Sequence, residues 1–207
     1  GIISKTHFQQ FLNILSQLKK VGYNVSYKLL NASDFGVPQE RERIIKKGDI
    51  VSIDLGLIHK GLITDAAITV PAGAVDDTAV KLMETAKEAL KRGIEQARPG
   101  KNVGDIGFAV SSVVLPSGFV LAEDLTGHGV GRAVHEEPFI PNEGSPGKGE
   151  KLLPGMVIAI EPMVNEGSAA IKLADDGYTI KTADGSRSAH FEHTVAITEK
   201  GNIILTS

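Results

Sequence analysis

The sequence predicts an α+β protein whose sheet is mainly antiparallel. Two stretches carry apolar residues at helical spacing, about residues 77–97 and 103–116. After them the chain breaks into short apolar stretches separated by glycine and aspartate turns, as at Asp184-Gly185 and Lys200-Gly201. Because helices and strands are mixed without a βαβ rhythm, a parallel sheet is not indicated.

Each predicted helix has an apolar stripe and a stop signal. In the first helix, Asp76 can cap the start and Pro99-Gly100 ends it, and the second helix stops at Pro116. A third amphipathic helix is predicted near the start of the chain, followed by a strand over residues 23–30 and a loop over residues 31–42. The three stripes are Leu82, Ala86, Leu90 and Ile94; Val103, Ile106, Val110 and Val113; and Phe8, Phe11, Leu12, Leu15 and Leu18.

Strands are predicted for the rest of the chain. Residues 49–58 and 61–70 form a hairpin that turns about His59-Lys60. Six shorter strands follow, over residues 119–122, 156–163, 169–173, 178–182, 190–198 and 203–206.

Composition excludes several functional classes. The 207 residues include no cysteine, so disulfides, zinc fingers, iron–sulfur clusters and cysteine nucleophiles are excluded. No apolar run approaches the length of a membrane span, and the opening residues lack a signal-peptide pattern. The net charge of −3 argues against general nucleic-acid binding. We therefore expect a soluble, cytoplasmic monomer.

Charge is unevenly distributed along the chain. Residues 1–45 carry six Lys/Arg and three Asp/Glu, whereas residues 46–207 carry sixteen and twenty-two. The amino-acid composition changes at the same point: the first region contains Asn, Gln and Tyr, and the second is rich in Gly, Val, Ile and Ala. We predict two regions, 1–45 and 46–207.

Two aspartates of the predicted hairpin are expected to face each other. A symmetric turn about His59-Lys60 places Asp54 directly opposite Asp65. Opposed side chains have Cβ atoms about 4.5–5.5 Å apart, where like charges are destabilising unless a cation lies between them. Two exposed strand-end aspartates are an equally good interpretation of this pair alone.

Three further residues have the same ambiguity. His128 lies among glycines and is a possible metal ligand, but a lone histidine in that setting is more often a turn residue. Glu161 and Glu192 interrupt apolar strands, where a carboxylate is costly to bury unless it is paired or coordinated. The combination with Asp54 and Asp65 favours a site that holds two ions and shares carboxylates between them.

Residues 46–207 resemble the catalytic portion of type I methionine aminopeptidases. Prolidases and aminopeptidase P have the same types of metal-ligand residues, but the motif sequences here are more similar to those of the methionine enzymes. The matching motifs are Gly48-Asp49-Ile50-Val51-Ser52-Ile53-Asp54, Thr64-Asp65, Gly127-His128-Gly129-Val130-Gly131-Arg132, His135-Glu136-Glu137-Pro138, Ile160-Glu161-Pro162-Met163-Val164 and Phe191-Glu192-His193-Thr194.

The resemblance implies a pita-bread fold and a dinuclear metal site that acts on the N-termini of peptides or nascent proteins. The implied metal ligands are Asp54, Asp65, His128, Glu161 and Glu192, with His128 as the single nitrogen ligand. Mn, Fe or Co as divalent ions suit such an oxygen-rich site, and Zn is possible.

The resemblance also implies the catalytic roles. Glu161 would accept a proton from the attacking water, and His135 would hydrogen-bond the substrate amide or the developing oxyanion.

Residues 29–44 resemble a different family, the C5-cytosine DNA methyltransferases, through the pattern Gln39-Glu40-Arg41-Glu42-Arg43. Methyltransfer is excluded because the chain has no cysteine nucleophile and no glycine-rich S-adenosylmethionine loop. The chain therefore resembles a chimera in which this segment replaces the first half of an aminopeptidase. That half normally supplies pocket walls and a second substrate-contacting histidine, a role that His7 does not match.

Three alternatives stay open at this point. The chain could be a pita-bread binding module without catalysis, or a recombined protein that binds metal but turns nothing over. A DNA-binding remnant would rest only on the basic first region, with Arg41 and Arg43.

Overall fold

The computed structural model describes residues 45–206. Two helices lie within this range, α1 over Asp77–Gln96 and α2 over Val103–Val114, and a 3-10 turn, Leu115–Ser117, follows the second. Both confirm the predicted helices to within about two residues. Asp76 caps α1 as expected, since its side chain accepts a hydrogen bond of 2.8 Å from the Ala79 N–H.

Fourteen strands are described, and every strand pair is antiparallel, which confirms the α+β prediction. They are β1 (Ile50–Asp54), β2 (Leu57–His59), β3 (Leu62–Thr64), β4 (Ala67–Pro71), β5 (Val120–Leu121), β6 (Gly127–Gly129), β7 (Glu136–Ile140), β8 (Val157–Ile160), β9 (Met163–Asn165), β10 (Ile171–Leu173), β11 (Ile180–Thr182), β12 (Ser188–His190), β13 (His193–Thr198) and β14 (Gly201–Ile204).

Strand β8 is the centre of the largest sheet, whose order is β14-β13-β8-β6-β7. A second sheet has the order β12-β9-β5, and three two-stranded pairs, β1-β4, β2-β3 and β10-β11, complete the set. The two helices share one apolar core with β8, in which Leu82, Ile106 and Ile158 are fully buried. A Cβ on Gly93 would meet Val110 Cγ2 at 3.0 Å and Ile160 Cγ2 at 3.2 Å. The glycine therefore allows α1 to pack closely against both α2 and β8.

The first hairpin corrects the predicted register. Asp54 pairs with Ala67, not with Asp65, and His59 pairs with Leu62. The turn is Lys60-Gly61, with φ of 49° and 78°, rather than His59-Lys60. Two successive positive φ values are typical of the tight hairpin turn whose twist matches the flanking strands, and glycine favours the second position.

Each long strand of this hairpin is also interrupted. Residues 55–56 and 65–66 lie outside the ladders, which divides the predicted strands 49–58 and 61–70 into four short ones. Asp65 therefore lies at a break, where its backbone is free to contact another part of the molecule.

Strands β6 and β7 were not predicted, because glycines and charged residues have low strand propensity. A Cβ on Gly127 would collide with the Ala159 carbonyl oxygen, and one on Gly129 would collide with that of Glu137. These glycines therefore allow β6 to approach β8 and β7 closely, where a larger residue would force the strands apart.

An ion-pair network links the start of β12 to the end of β9 and to the start of α1. Arg187 makes two hydrogen bonds to Glu166, of 2.6 and 3.0 Å, and one of 2.7 Å to Asp76. Hydrogen bonding to Arg187 holds the pKa of both carboxyl groups below their ordinary values. This network ties β12 to the helical layer.

We expect Arg187→Gln to lower the melting temperature by a few degrees at pH 7, with the difference disappearing on acidification. Depressed carboxyl pKa values stabilise the fold above the ordinary values of 3.8 and 4.5, and that contribution is lost as the pH falls through the folded-state values. Thermal melts of both proteins between pH 2.5 and 7 measure the difference. A difference that stays constant over this range would contradict the assignment.

Several predictions concern residues outside the described range. These are the first helix with Phe8, the strand over residues 23–30, and the role of His7. The boundary between 1–45 and 46–207 also stays a prediction. Among the described residues, no helix is both long enough and apolar enough to cross a membrane.

Candidate metal centre

Three of the five predicted ligands lie on or next to neighbouring strands of the largest sheet, and the other two, Asp54 and Asp65, lie in the first hairpin. Glu161 directly follows β8, and His128 lies on the neighbouring strand β6, paired with Ala159. Glu192 precedes β13, the neighbour on the other side, where His193 pairs with Ile160. This topology places His128, Glu161 and Glu192 near the same end of three neighbouring strands.

Asp65, His128 and Glu192 form a tight cluster. One side-chain ligand atom from each lies within 4.8 Å of the others. All three residues are buried, with exposed fractions of 8, 4 and 2 %. Asp54 is exposed and lies outside this cluster, but its carboxyl is close enough to Asp65 for that neighbour to raise the Asp54 pKa.

Thr194 fixes the position of Asp65. The Asp65 N–H donates to Thr194 Oγ1 at 2.8 Å, and the same hydroxyl donates to the Asp65 carbonyl oxygen at 2.7 Å. The Glu192 N–H also donates a hydrogen bond of 2.9 Å to the Ala67 carbonyl oxygen. The break in the first hairpin thus brings Asp65 to Glu192, although the two are far apart in sequence.

His128 is oriented by its own strand. Its Nδ1 lies 2.9 Å from the Gly129 carbonyl oxygen, which can only accept a hydrogen bond. Nδ1 therefore carries a proton, and Nε2 faces Glu161 Oε1 at 3.1 Å, to which it donates when the ring is fully protonated. Asn142 Nδ2 donates at 3.1 Å to the Glu161 carbonyl oxygen and so holds the other residue of this pair.

The crowded carboxylates have shifted acidities. Burial, together with the charges of Glu161, Asp65 and Asp54, raises the pKa of Glu192 to about 9. Burial and the neighbouring Asp65 also raise the pKa of Asp54. Burial acts to raise the pKa of Glu161, but the hydrogen bond from His128 and the nearby imidazole of His190 outweigh it and lower that pKa. Burial likewise opposes protonation of His128, yet its bond to Glu161 raises the His128 pKa overall.

His135 lies beside the cluster without joining it. It is exposed, and its ring meets that of His128 edge-on, with centroids 4.4 Å apart and an interplanar angle of 74°. It lines a cavity of about 450 Å³ together with Asp54, Glu161 and Met163. His135 therefore faces the space next to the ligand-type residues.

Sequence reasoning missed His190. Its Nε2 lies 3.4 Å from Glu161 Oε2, and Glu161, His190 and Glu192 form a second cluster with ligand atoms within 4.8 Å. A usable signal was present: His190 lies two residues before Glu192, and alternate residues of an extended chain point to the same face.

The donor set fits divalent cations. Two of the three buried side-chain atoms that lack a hydrogen-bond partner among the described residues belong to this site, Glu192 Oε1 and His190 Nε2. Buried polar groups are normally satisfied, so such atoms need a further partner. Carboxylate oxygens combined with imidazole nitrogens suit divalent ions from Mn to Zn, and a cation would also offset the repulsion among the carboxylates.

Comparisons with known proteins agree with this chemistry. Residues 19–199 match the model of metallopeptidase family M24. The chain is 52 % identical over 173 residues to the methionine aminopeptidase of Aquifex aeolicus, covering 83 % of this chain and 67 % of the relative. It is 46 % identical over 171 residues to methionine aminopeptidase 1 of Bacillus subtilis, covering 83 % and 68 %. The chain thus spans about two thirds of the length of these relatives.

Solved structures show the same fold. The methionine aminopeptidase of Thermotoga maritima superposes with a TM-score of 0.78 at 46 % identity, covering 80 % of this chain and 66 % of that one. A prolidase of Pyrococcus horikoshii superposes with a TM-score of 0.65 at 26 % identity, covering 81 % and 42 %. These likenesses confirm the predicted pita-bread fold. The chain belongs to metallopeptidase family M24, and within it the chain is similar to methionine aminopeptidases.

Proposed function

We propose that this chain is a metal-dependent aminopeptidase that removes an N-terminal methionine from peptides or nascent proteins. The observation that carries the proposal is the convergence of Asp65, His128 and Glu192 in one buried cluster, with Glu161 against His128. Those residue types, in that arrangement, are suited to holding hydrolytic metal ions.

The metal ligands would be Asp54, Asp65, His128, Glu161 and Glu192, and together they would hold two divalent ions. Mn, Fe or Co are the ions that this donor set favours, with Zn as a further candidate. Bound divalent ions lower the pKa of a coordinated water towards about 7 and polarise a carbonyl oxygen.

Glu161 is suited to accept a proton during hydrolysis. Its lowered pKa keeps the carboxylate ionised at neutral pH, with Oε1 and Oε2 directed at His128 and His190. A carboxylate held by two imidazoles can take a proton on one oxygen and keep its position through the other.

His135 is suited to bind the scissile group. Its exposed ring borders the cavity beside His128 but is not needed to complete either ligand cluster. An imidazole N–H at this place can donate to a substrate carbonyl oxygen as negative charge develops there.

The cavity can also contact an apolar first side chain. Leu125, Met163, Ile171 and Ile180 are among the residues that line it. We assign these residues to the methionine side chain, whose burial would favour binding in proportion to the apolar area removed from water.

The test is the release of methionine from a peptide that begins with Met-Ala, in the presence of Mn²⁺ or Co²⁺. We expect release by the parent chain and a loss of at least about 10²-fold in Glu161→Gln, which keeps the shape of the side chain but removes both the proton acceptor and a charged metal ligand. The N-acetylated peptide should stay intact, because an aminopeptidase needs a free N-terminus. Cleavage of the acetylated peptide at the same rate would contradict an aminopeptidase.

The rival proposal is a folded protein that binds metal without turnover. It is motivated by the resemblance of residues 29–44 to a methyltransferase, because a replaced first region would leave the substrate pocket incomplete. Metal binding without release of methionine would favour this rival.

A further inference from the structure

We propose that His190 supplies a second imidazole ligand to the metal centre. His190 would join Glu161 and Glu192 in one part of the centre, beside the cluster of Asp65, His128 and Glu192, with Asp54 as a further ligand next to Asp65. This inference rests on the proposed metal-dependent function and adds a residue and a metal preference to it.

The two clusters have matching composition. Asp65, His128 and Glu192 form one, and Glu161, His190 and Glu192 form the other, each with ligand atoms within 4.8 Å. Glu192 belongs to both, is 2 % exposed and has an Oε1 without a hydrogen-bond partner. A carboxylate that is buried, unsatisfied and common to two clusters is placed to bridge two ions.

The Nε2 atom of His190 lacks a hydrogen-bond partner among the described residues. This atom is buried, and the 3.4 Å separation from Glu161 Oε2 is longer than a normal hydrogen bond. Leaving a buried donor or acceptor unsatisfied costs about 1–3 kcal/mol. A cation between these groups removes that cost.

The backbone of His190 is held rigidly enough for a ligand. Its N–H donates to Thr69 Oγ1 at 2.8 Å, and the same hydroxyl donates to its carbonyl oxygen at 2.8 Å. His190 also pairs with Met163 across β12 and β9, and Met163 lies two residues after Glu161. The strands that position Glu161 therefore position His190 as well.

A second nitrogen changes the expected metal preference. Imidazole favours Co²⁺ or Zn²⁺ over Mn²⁺, which prefers carboxylate and carbonyl oxygen. We therefore expect His190 to raise the affinity for Co²⁺ more than the affinity for Mn²⁺ at the position that it completes.

Calorimetric titration of the chelator-treated full chain with Co²⁺ and, separately, Mn²⁺ tests the inference. The parent should bind two Co²⁺ ions. His190→Ala should keep one at parental affinity and bind the second at least tenfold more weakly, since even outer ligand partners contribute 10–100-fold. His59→Ala, which removes an exposed imidazole from the first hairpin, should behave like the parent.

His190→Gln separates a ligand from a residue that only orients Glu161. The amide keeps a hydrogen-bond donor for the Glu161 carboxylate but replaces the nitrogen ligand with an oxygen. A ligand role predicts that the ratio of Co²⁺ to Mn²⁺ affinity at the second position falls at least tenfold in this variant, and that the visible absorption spectrum of bound Co²⁺ changes.

Two outcomes overturn the inference in distinguishable ways. A parent that binds two ions, with both variants unchanged in stoichiometry, affinity ratio and Co²⁺ spectrum, would exclude His190 as a ligand and leave the proposed function intact. A parent that binds no ion would overturn both the inference and the proposed function. Matching melting curves of parent and His190→Gln in chelator would show that the comparison is made between folded proteins.

Discussion

Replacing His135 by alanine is expected to lower the release of methionine by about 10²–10³-fold, the range measured for loss of one oxyanion donor. His135 is exposed in the cavity, packs edge-on against His128 and belongs to neither ligand cluster. The variant should therefore keep the metal content of the parent. Steady-state cleavage of a Met-Ala peptide and elemental analysis of the same preparation measure the two effects.

His59→Ala is the matched control for this experiment, because it removes an exposed histidine that ends β2 and belongs to neither ligand cluster. Its rate and metal content should equal those of the parent. If His135→Ala lost metal along with activity, His135 would be a ligand and its assignment to the substrate would be wrong.

Saturating Mn²⁺ or Co²⁺ is expected to raise the melting temperature of the chelator-treated chain by about 5–10 °C. A ligand at 100 times its Kd stabilises the native state by about 2.7 kcal/mol, and each kcal/mol shifts the melting temperature by about 2–4 °C in a chain of this size. The physical source is the relief of repulsion among Asp54, Asp65, Glu161 and Glu192.

Asp65→Ala should abolish this stabilisation, because Asp65 belongs to the buried cluster and contacts Asp54. Asp175→Ala, on an exposed loop, should keep the full effect of the metal. Melting curves that do not respond to metal in the parent would eliminate the dinuclear centre.

Local sequence signals predicted the helices well. The stripe that contains Leu82 and Ile94 defines α1, and Asp76 caps it as its side-chain chemistry requires. The same reasoning selected Glu161 and Glu192, since carboxylates within apolar strands need a compensating partner. Periodicity, capping and burial cost are properties of short segments, so one sequence is enough to detect them.

Features that depend on contacts between segments were predicted less well. The observed register differs from the predicted one because the two turn residues are Lys60 and Gly61, both with positive φ, rather than His59 and Lys60. Strand β6 was missed because Gly127 and Gly129 are present to allow close backbone approach, which propensity does not detect. His190 was missed because its relation to Glu161 arises only when β12 pairs with β9.

The described residues begin at residue 45, so three statements about the first region remain predictions. They comprise the resemblance to a methyltransferase, the chimeric origin and the separate first region. The monomeric state, the cytoplasmic location and the absence of nucleic-acid binding likewise stay predictions from composition and charge.

The catalytic metal centre is tested most directly by measuring bound metal and peptide cleavage on one sample. Mn²⁺ or Co²⁺ is titrated into the chelator-treated chain, and the release of methionine from a Met-Ala peptide is followed at each occupancy. We predict that release is absent in chelator, rises with occupancy and reaches a plateau at two ions per chain. Full occupancy without release of methionine would contradict the enzyme and favour a folded, metal-binding protein without turnover.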